Sequence, residues 1–373
     1  KYYNFPLTLK NFENLVVTDS EGKEVTMTSG NFTCAAMNVD GLPTIIQSGG
    51  PGGSGTTAIG NAINGLENGW DFFAVSEDFE YHGYLEQALT NYNMGTYRGS
   101  ITALIITGGG VADTDGLCFF WKKNGVSATG ETMKEYDDKK GGITEGANEL
   151  IKKGFRHYEV TVASGVTVDV YITHMNTYEG KGNTEETNAF VAAQLSQLRQ
   201  LRDYVLANAN TNKRPAIIMG DTNMRYTRHQ VYNNLIAPVK SAGYSIVDPW
   251  VKFNRNGKYP TWNTKSLMIR SKFAGDTEND IVCSDDQRGE VVDKMWYINV
   301  PGAPLQIEAA SCINDVERFT KSSETVSYSG VTAEDASGNI LTNQTVSYTK
   351  YTGLADHFPV VVKFNYSLVQ EKN

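Results

Sequence analysis

Six short polar strings lie far apart in this 373-residue chain, each set against an apolar run. Asn38-Val39-Asp40-Gly41-Leu42-Pro43 follows Phe32 to Met37. Glu77 comes just after Phe72-Phe73-Ala74-Val75, and His174 directly after Val170-Tyr171-Ile172-Thr173. Gly220-Asp221-Thr222-Asn223 ends the run Ala216-Ile217-Ile218-Met219. Asp293 opens Val292-Asp293-Lys294-Met295-Trp296-Tyr297, and Ala355-Asp356-His357-Phe358-Pro359 precedes a final apolar run to Phe364. Carboxylate and amide oxygens are hard donors that suit magnesium, manganese or calcium. Imidazoles among them can move protons near neutral pH. Gly-Asp-x-Asn alone is an ordinary turn signal, and a lone Asp-His pair says little. It is the conjunction, each string beside an apolar strand, that points to a site.

The elements that must carry these strings are mostly strands. A hairpin is expected over 14–29, with Leu15 to Thr18 and Glu24 to Met27 flanking a turn at Asp19-Ser20-Glu21-Gly22. Further strands are expected at Phe32 to Met37, Ile101 to Thr107, Leu117 to Trp121, Tyr158 to Val162, Val166 to Thr173, Met295 to Val300 and Pro359 to Phe364. Asn183 reads as the N-cap of a helix, with Glu186 as capping partner. Phe190, Val191, Leu195, Leu198, Leu201 and Val205 recur at helical spacing and define its buried face. Pro215 then opens a strand apolar on both faces. The glycine-rich stretch 48–55 reads as a surface loop, since it lacks the Gly-Lys-Ser/Thr of a nucleotide-binding loop. Strands outnumber helices and come in adjacent pairs. This predicts an α/β fold with two mainly antiparallel sheets face to face and helices outside. The expected organisation is a hairpin extension over 1–30 and one domain over 31–373. Into that domain a polar hairpin near 320–350, turning at Ala336-Ser337-Gly338-Asn339, is inserted.

The composition, 40% hydrophobic, 11% aromatic and 20% charged, is that of a globular chain with a sizeable core. A formal charge of −9 argues against indiscriminate binding to a polyanion, whose affinity rests on lysine and arginine. No stretch is apolar for long enough to cross a membrane, and the first residues lack the apolar core of a signal peptide. Abundant Tyr, Thr, Asn and Gly suit a secreted, periplasmic or cell-surface protein, and a monomer is expected. Cys34 and Cys118 fit a core, no Cys-x-x-Cys spacing suggests zinc, and a Cys283–Cys312 disulfide is left open.

Together the strings resemble the signature set of the endonuclease/exonuclease/phosphatase superfamily, metal-dependent phosphoester hydrolases related to pancreatic deoxyribonuclease. The resemblance spans roughly residues 31 to 365 and implies a four-layer α-β-β-α sandwich. It implies Glu77 as principal metal ligand, with Asn38 and Asp40 beside it and Asp356 completing the site, and magnesium as cofactor, with manganese or calcium as alternatives. It implies His357 as the base that activates water, oriented by Asp293. Asp221 and Asn223 would position the water and bond the phosphate, and His174 would donate to a phosphoryl oxygen.

The departures bear on substrate. The glutamate is followed by acidic and aromatic Asp78-Phe79-Glu80-Tyr81-His82, where nucleases of the family carry basic residues, so no stable nucleic-acid complex is expected. Arg225 resembles the arginine that follows the same motif in inositol polyphosphate phosphatases, and a guanidinium there could bind phosphate by two bonds. Peripheral lipid contact through Tyr259-Pro260-Thr261-Trp262 and Leu267-Met268-Ile269 stays open. The expectation is a phosphodiesterase acting on a lipid head group or small phosphodiester. An inositol phosphate phosphatase or secreted nuclease is the alternative, and a non-catalytic binding protein is the alternative of another class.

Overall fold

The computed structural model describes residues 12–107, 110–180, 182, 184–224, 226, 231–259, 291–334 and 340–371. β1 (Phe12–Thr18) and β2 (Glu24–Asn38) form an antiparallel hairpin, with Thr18 opposite Glu24. Residue 30 falls inside the unbroken β2, opposite Tyr366. Helix α1 (Gly52–Asn64) crosses from β2 to β3 (Phe72–Ser76), which runs parallel to β2. There follow α2 (His82–Ala88), β4 (Tyr92–Met94), α3 (Thr102–Thr107) and β5 (Cys118–Lys122). Then come β6 (Ser127–Glu135), β7 (Gly154–Ala163) and β8 (Val166–His174). A long helix, α4 (Ala189–Asn212), makes a second crossover to β9 (Ala216–Asp221), parallel to β8. The chain continues through α5 (Ala237–Ser241), β10 (Ser245–Val247), α6 (Pro249–Asn254) and β11 (Asp293–Asn299). It ends with β12 (Leu305–Asn314), β13 (Thr320–Glu334), β14 (Ile340–Gly353) and β15 (Val360–Glu371).

One sheet has the order β12-β15-β2-β3-β5-β4, with β1 attached to β2, and the other has β10-β11-β9-β8-β7-β6. β13 and β14 pair only with each other, and the tip between them lies outside the described residues. All neighbours are antiparallel except β2–β3 and β8–β9, so the sheets are mainly antiparallel as the residue pattern predicts. Alternation along β2 shows the layering. Phe32, Cys34 and Ala36 face the other sheet, while Ala35 and Met37 face α1. Phe32, Phe72 and Phe364 stack across three neighbouring strands, with centroids 5.6 and 5.2 Å apart.

Three local expectations fail for identifiable reasons. Ile101 to Thr107, β-branched enough to read as a strand, contains the helix α3; the Ser100 hydroxyl accepts the Thr102 N–H and caps the turn. The glycine-rich loop ends early, because α1 already starts at Gly52, with Ile59 and Ile63 buried against the sheet. Helix α4 starts at Ala189, not near Asn183. Its cap is Asn188, whose side chain accepts from Phe190 N and Val191 N; Asn183 itself is outside the described residues. The predicted apolar face of α4 is buried. Cys34, Cys118 and Cys312 are buried, and Cys283 is outside the described residues.

Candidate active site

Both crossovers leave parallel strand pairs whose carboxyl ends meet at one edge of the sandwich. Asn38 is the last residue of β2 and Glu77 follows β3. His174 ends β8 and Asp221 ends β9, directly opposite one another in register. Across the antiparallel neighbour, Asp221 also faces Asp293, the first residue of β11. His357 stands just before β15. Six strings distant in sequence thus reach one place because strand ends put them there.

The backbone leaves the strands abruptly. Asp40, Glu77 and Asn223 all have positive φ, at 51°, 54° and 52°. Asp and Asn tolerate this region, whereas for glutamate it is held by its surroundings. Gly41 N donates to Glu77 O, and a Cβ on Gly41 would lie 2.3 Å from that oxygen. Thr222 ties the loop after β9 to the start of β11, its hydroxyl donating to Val292 O at 2.7 Å.

Side chains complete the cluster. Asn38 Nδ2 donates to Asp221 Oδ2 at 3.1 Å, and Asp40 N donates to Asn38 Oδ1. His174 Nε2 lies 3.4 Å from Asp221 Oδ2, 3.4 Å from Asn223 Nδ2 and 3.8 Å from Glu77 Oε1. His357 Nδ1 is 2.6 Å from Asp293 Oδ2, with both side chains buried. The other ring nitrogen, Nε2, has no hydrogen-bond partner among the described residues and lies 3.7 Å from Asp356 Oδ1 and 3.8 Å from Asp221 Oδ2.

Charges shift accordingly. Burial works against a charged His357, but Asp293, Asp356 and Asp221 outweigh it and hold its pKa up at about 10. For His174, burial and the nearby Lys153 lower the pKa, against Asp221 and Glu77. Asp40 is pushed up to about 8, by burial first and then by the charges of Asp356 and Glu77. That crowding suits a cation. Asn38, Asp40, Glu77 and Asp356 offer hard oxygens there, and one ligand atom each of Glu77, His174 and Asp221 falls within 4.8 Å of the others. The residues therefore fit a divalent ion.

Every candidate site residue within the described part lies in this cluster; Arg225 and most of the proposed lipid-facing residues are not among the described residues. Asp78 is buried and 2.6 Å from His82, while Glu80 is exposed and bonded to Ser100 and Thr102. The sequence reading missed several supports. Gln194, buried on α4, donates from Nε2 to Asn223 O and Asn176 O, both at 2.9 Å. A cavity of about 250 Å³ opens beside Glu77, His174 and Asp356, and its wall includes Phe79, Ile101 and a buried lysine, Lys153.

This chain has the fold of the endonuclease/exonuclease/phosphatase superfamily. A structure of a family member from Bacteroides thetaiotaomicron superposes with a TM-score of 0.55 over 91% of this chain and 98% of that one, at 13% identity. A double mutant of beta toxin from Staphylococcus aureus, with bound magnesium ions, gives 0.52 over 89% and 99%, at 14% identity. In sequence the chain is 26% identical over 339 residues to sphingomyelinases of Mycobacterium bovis and Mycobacterium tuberculosis. That alignment covers 91% of this chain and 53% of each relative, so the chain spans about half the length of the curated relatives it matches. No family model matches the chain.

Proposed function

We propose that this chain is a divalent-metal-dependent phosphodiesterase acting on a lipid head group or another small phosphodiester. The observation that carries the reading is the Asp293–His357 pair, 2.6 Å apart, whose free ring nitrogen faces the Asp221 and Asp356 carboxylates. A buried histidine whose second nitrogen lacks a partner is arranged to take a proton from something not yet there. The curated relatives, named sphingomyelinases, favour a lipid phosphodiester as the substrate class.

Asp293 accepts the His357 Nδ1–H and fixes the tautomer, so Nε2 can remove a proton from water and the imidazolium so formed is stabilised. Asp221 orients that water. Asn223 and His174 hydrogen-bond the phosphoryl oxygens, which gain negative charge as the water attacks. A divalent ion held by Glu77, with Asn38, Asp40 and Asp356, would add positive charge at those oxygens and at the leaving group. Asp293, Asp356 and Asp221 raise the proton affinity of His357; positive charge placed among Asp356 and Asp221 would lower it again and favour its use as a base. Magnesium is the first ion to try, and an exported protein is the matching location.

The test is phosphorus NMR of the protein with magnesium and a panel of sphingomyelin, an inositol phosphate, a short DNA duplex and a generic phosphodiester, beside His357→Ala. Loss of a diester resonance with the parent, and not with the variant or after chelation, is the expected result. An inert panel, with manganese and calcium also tried, would favour the binding-protein alternative.

A further inference from the structure

Helix α4 meets the site with two glutamines one turn apart, Gln194 and Gln197, and both are fully buried. Gln197 Oε1 accepts the Asn176 N–H and its Nε2 donates to Asp138 O, both at 2.8 Å, so each end of that amide is used by the backbone. Gln194 is bonded differently. Its Nε2 donates twice, to Asn176 O in the loop after β8 and to Asn223 O in the loop after β9. Both acceptors are carbonyls, so the amide can face them only with its nitrogen. Its Oε1 has no hydrogen-bond partner among the described residues.

Burying an amide with one end unbonded is costly, and a packing role at this position would be met by leucine or methionine. What Gln194 adds is a link between the two loops that carry the candidate phosphate donors. His174 lies two residues before Asn176. Asn223 has a φ of 52°, which turns it out of the strand, and in a buried residue the carbonyl then needs a donor from elsewhere. Asn223 Nδ2 in turn donates to Met175 O at 3.0 Å and lies 3.4 Å from His174 Nε2. The two groups proposed to bond phosphoryl oxygens are therefore held side by side by a residue that bonds to neither of their side chains.

We propose that Gln194 is a positioning residue: by bridging Asn176 O and Asn223 O it sets the separation of Asn223 Nδ2 and His174 Nε2, so that both donate to the phosphoryl oxygens of one substrate. The assignment rests on the phosphoesterase reading above. It extends the working part of the site from the strand ends to a helix in the outer layer.

The test compares two substitutions of Gln194 with a control. Gln194→Met keeps the length without the donor, and Gln194→Asn keeps the amide one methylene too short to reach both carbonyls. Gln197→Met removes a buried amide from the same helix without touching Asn223. For each, kcat and KM on the diester the parent cleaves are measured beside the melting temperature. Bonds to oxygens that gain charge only in the transition state show in kcat. Both Gln194 variants are thus expected to lose about 100-fold in kcat, with KM within about threefold of the parent. Gln197→Met should lower the melting temperature as much, but kcat by less than about tenfold. In an Asn223→Ala background, where the donor to be positioned is gone, Gln194→Met should cost less than about tenfold further. With an active parent, kcat within about threefold in both Gln194 variants overturns this assignment alone. So does an equal loss of kcat in Gln197→Met, or a further loss of about 100-fold in the Asn223→Ala background. A parent inert toward every phosphoester overturns both this assignment and the phosphoesterase reading.

Discussion

Replacing Asp293 by asparagine tests the proposed base most directly. The side chain keeps its size, so the buried site between β9 and β11 need not repack, but the charge next to His357 disappears. At 2.6 Å and an effective dielectric constant of about 20, the lost attraction is about 6 kcal/mol. The amide dipole restores part of it. An amide N–H facing Nδ1 would also favour the tautomer with the proton on Nε2, which cannot accept one from water. A loss in kcat of about 10³ to 10⁴ is expected, with little change in KM. Stability offers a second readout with a definite sign. His357 has its folded pKa raised from 6.5 to about 10, so its contribution is complete below 6.5 and vanishes as pH rises through 10. The melting-temperature gap between parent and Asp293→Asn, measured in the metal-free proteins, should therefore be widest near pH 6 and close toward pH 10. Turnover within tenfold of the parent, or a gap independent of pH, would refute the assignment of Asp293 as partner of the base.

Two other perturbations follow from geometry. Gly220→Ala should cost about 3 kcal/mol or more in denaturant unfolding and abolish activity, because Gly220 has φ +145° and its new Cβ would lie 1.9 Å from Thr173 O. An unchanged midpoint would contradict the β8–β9 register. Asp169, held below the usual carboxylate range by His157 and Arg214 against the effect of burial, contributes stability above its unfolded pKa that is lost as pH falls through the lower folded value. Asp169→Asn should accordingly flatten the fall in melting temperature below about pH 4 while leaving activity at neutral pH intact.

The strand-end residues were legible because two local signals coincide at each of them. An apolar run of strand length announces a buried strand, and a polar string at its end announces an exit from the core. His174 after Ile172, or Asp221 after Ile218, needs no knowledge of long-range contacts. Gln194 and Gln197 had no such signature. Their significance arises only when α4 packs against the loops after β8 and β9, a relation absent from local sequence. The helix at Thr102–Thr107 was misread for the converse reason. Its β-branched composition is a strong strand signal, and the single Ser100 cap that reverses it is weak in sequence. Asn183 was favoured by its spacing to Glu186; the cap in the structure, Asn188, also donates to Glu179 O, which fixes the entry of the chain into α4.

The position of β15 bears on when the candidate site can assemble. This last strand is not at an edge. It lies between β12 and β2, joining the final segment to one of the first, and His357 immediately precedes it. During synthesis, most of this sequence can emerge while the sheet still lacks a central strand and the site lacks His357. Pairing over so long a sequence separation is slow to form. A chain cut short before this strand has Glu77, His174 and Asp221 but lacks His357 and the strand that follows it. On the proposed function, hydrolysis therefore has to wait until that strand has been inserted between its two partners.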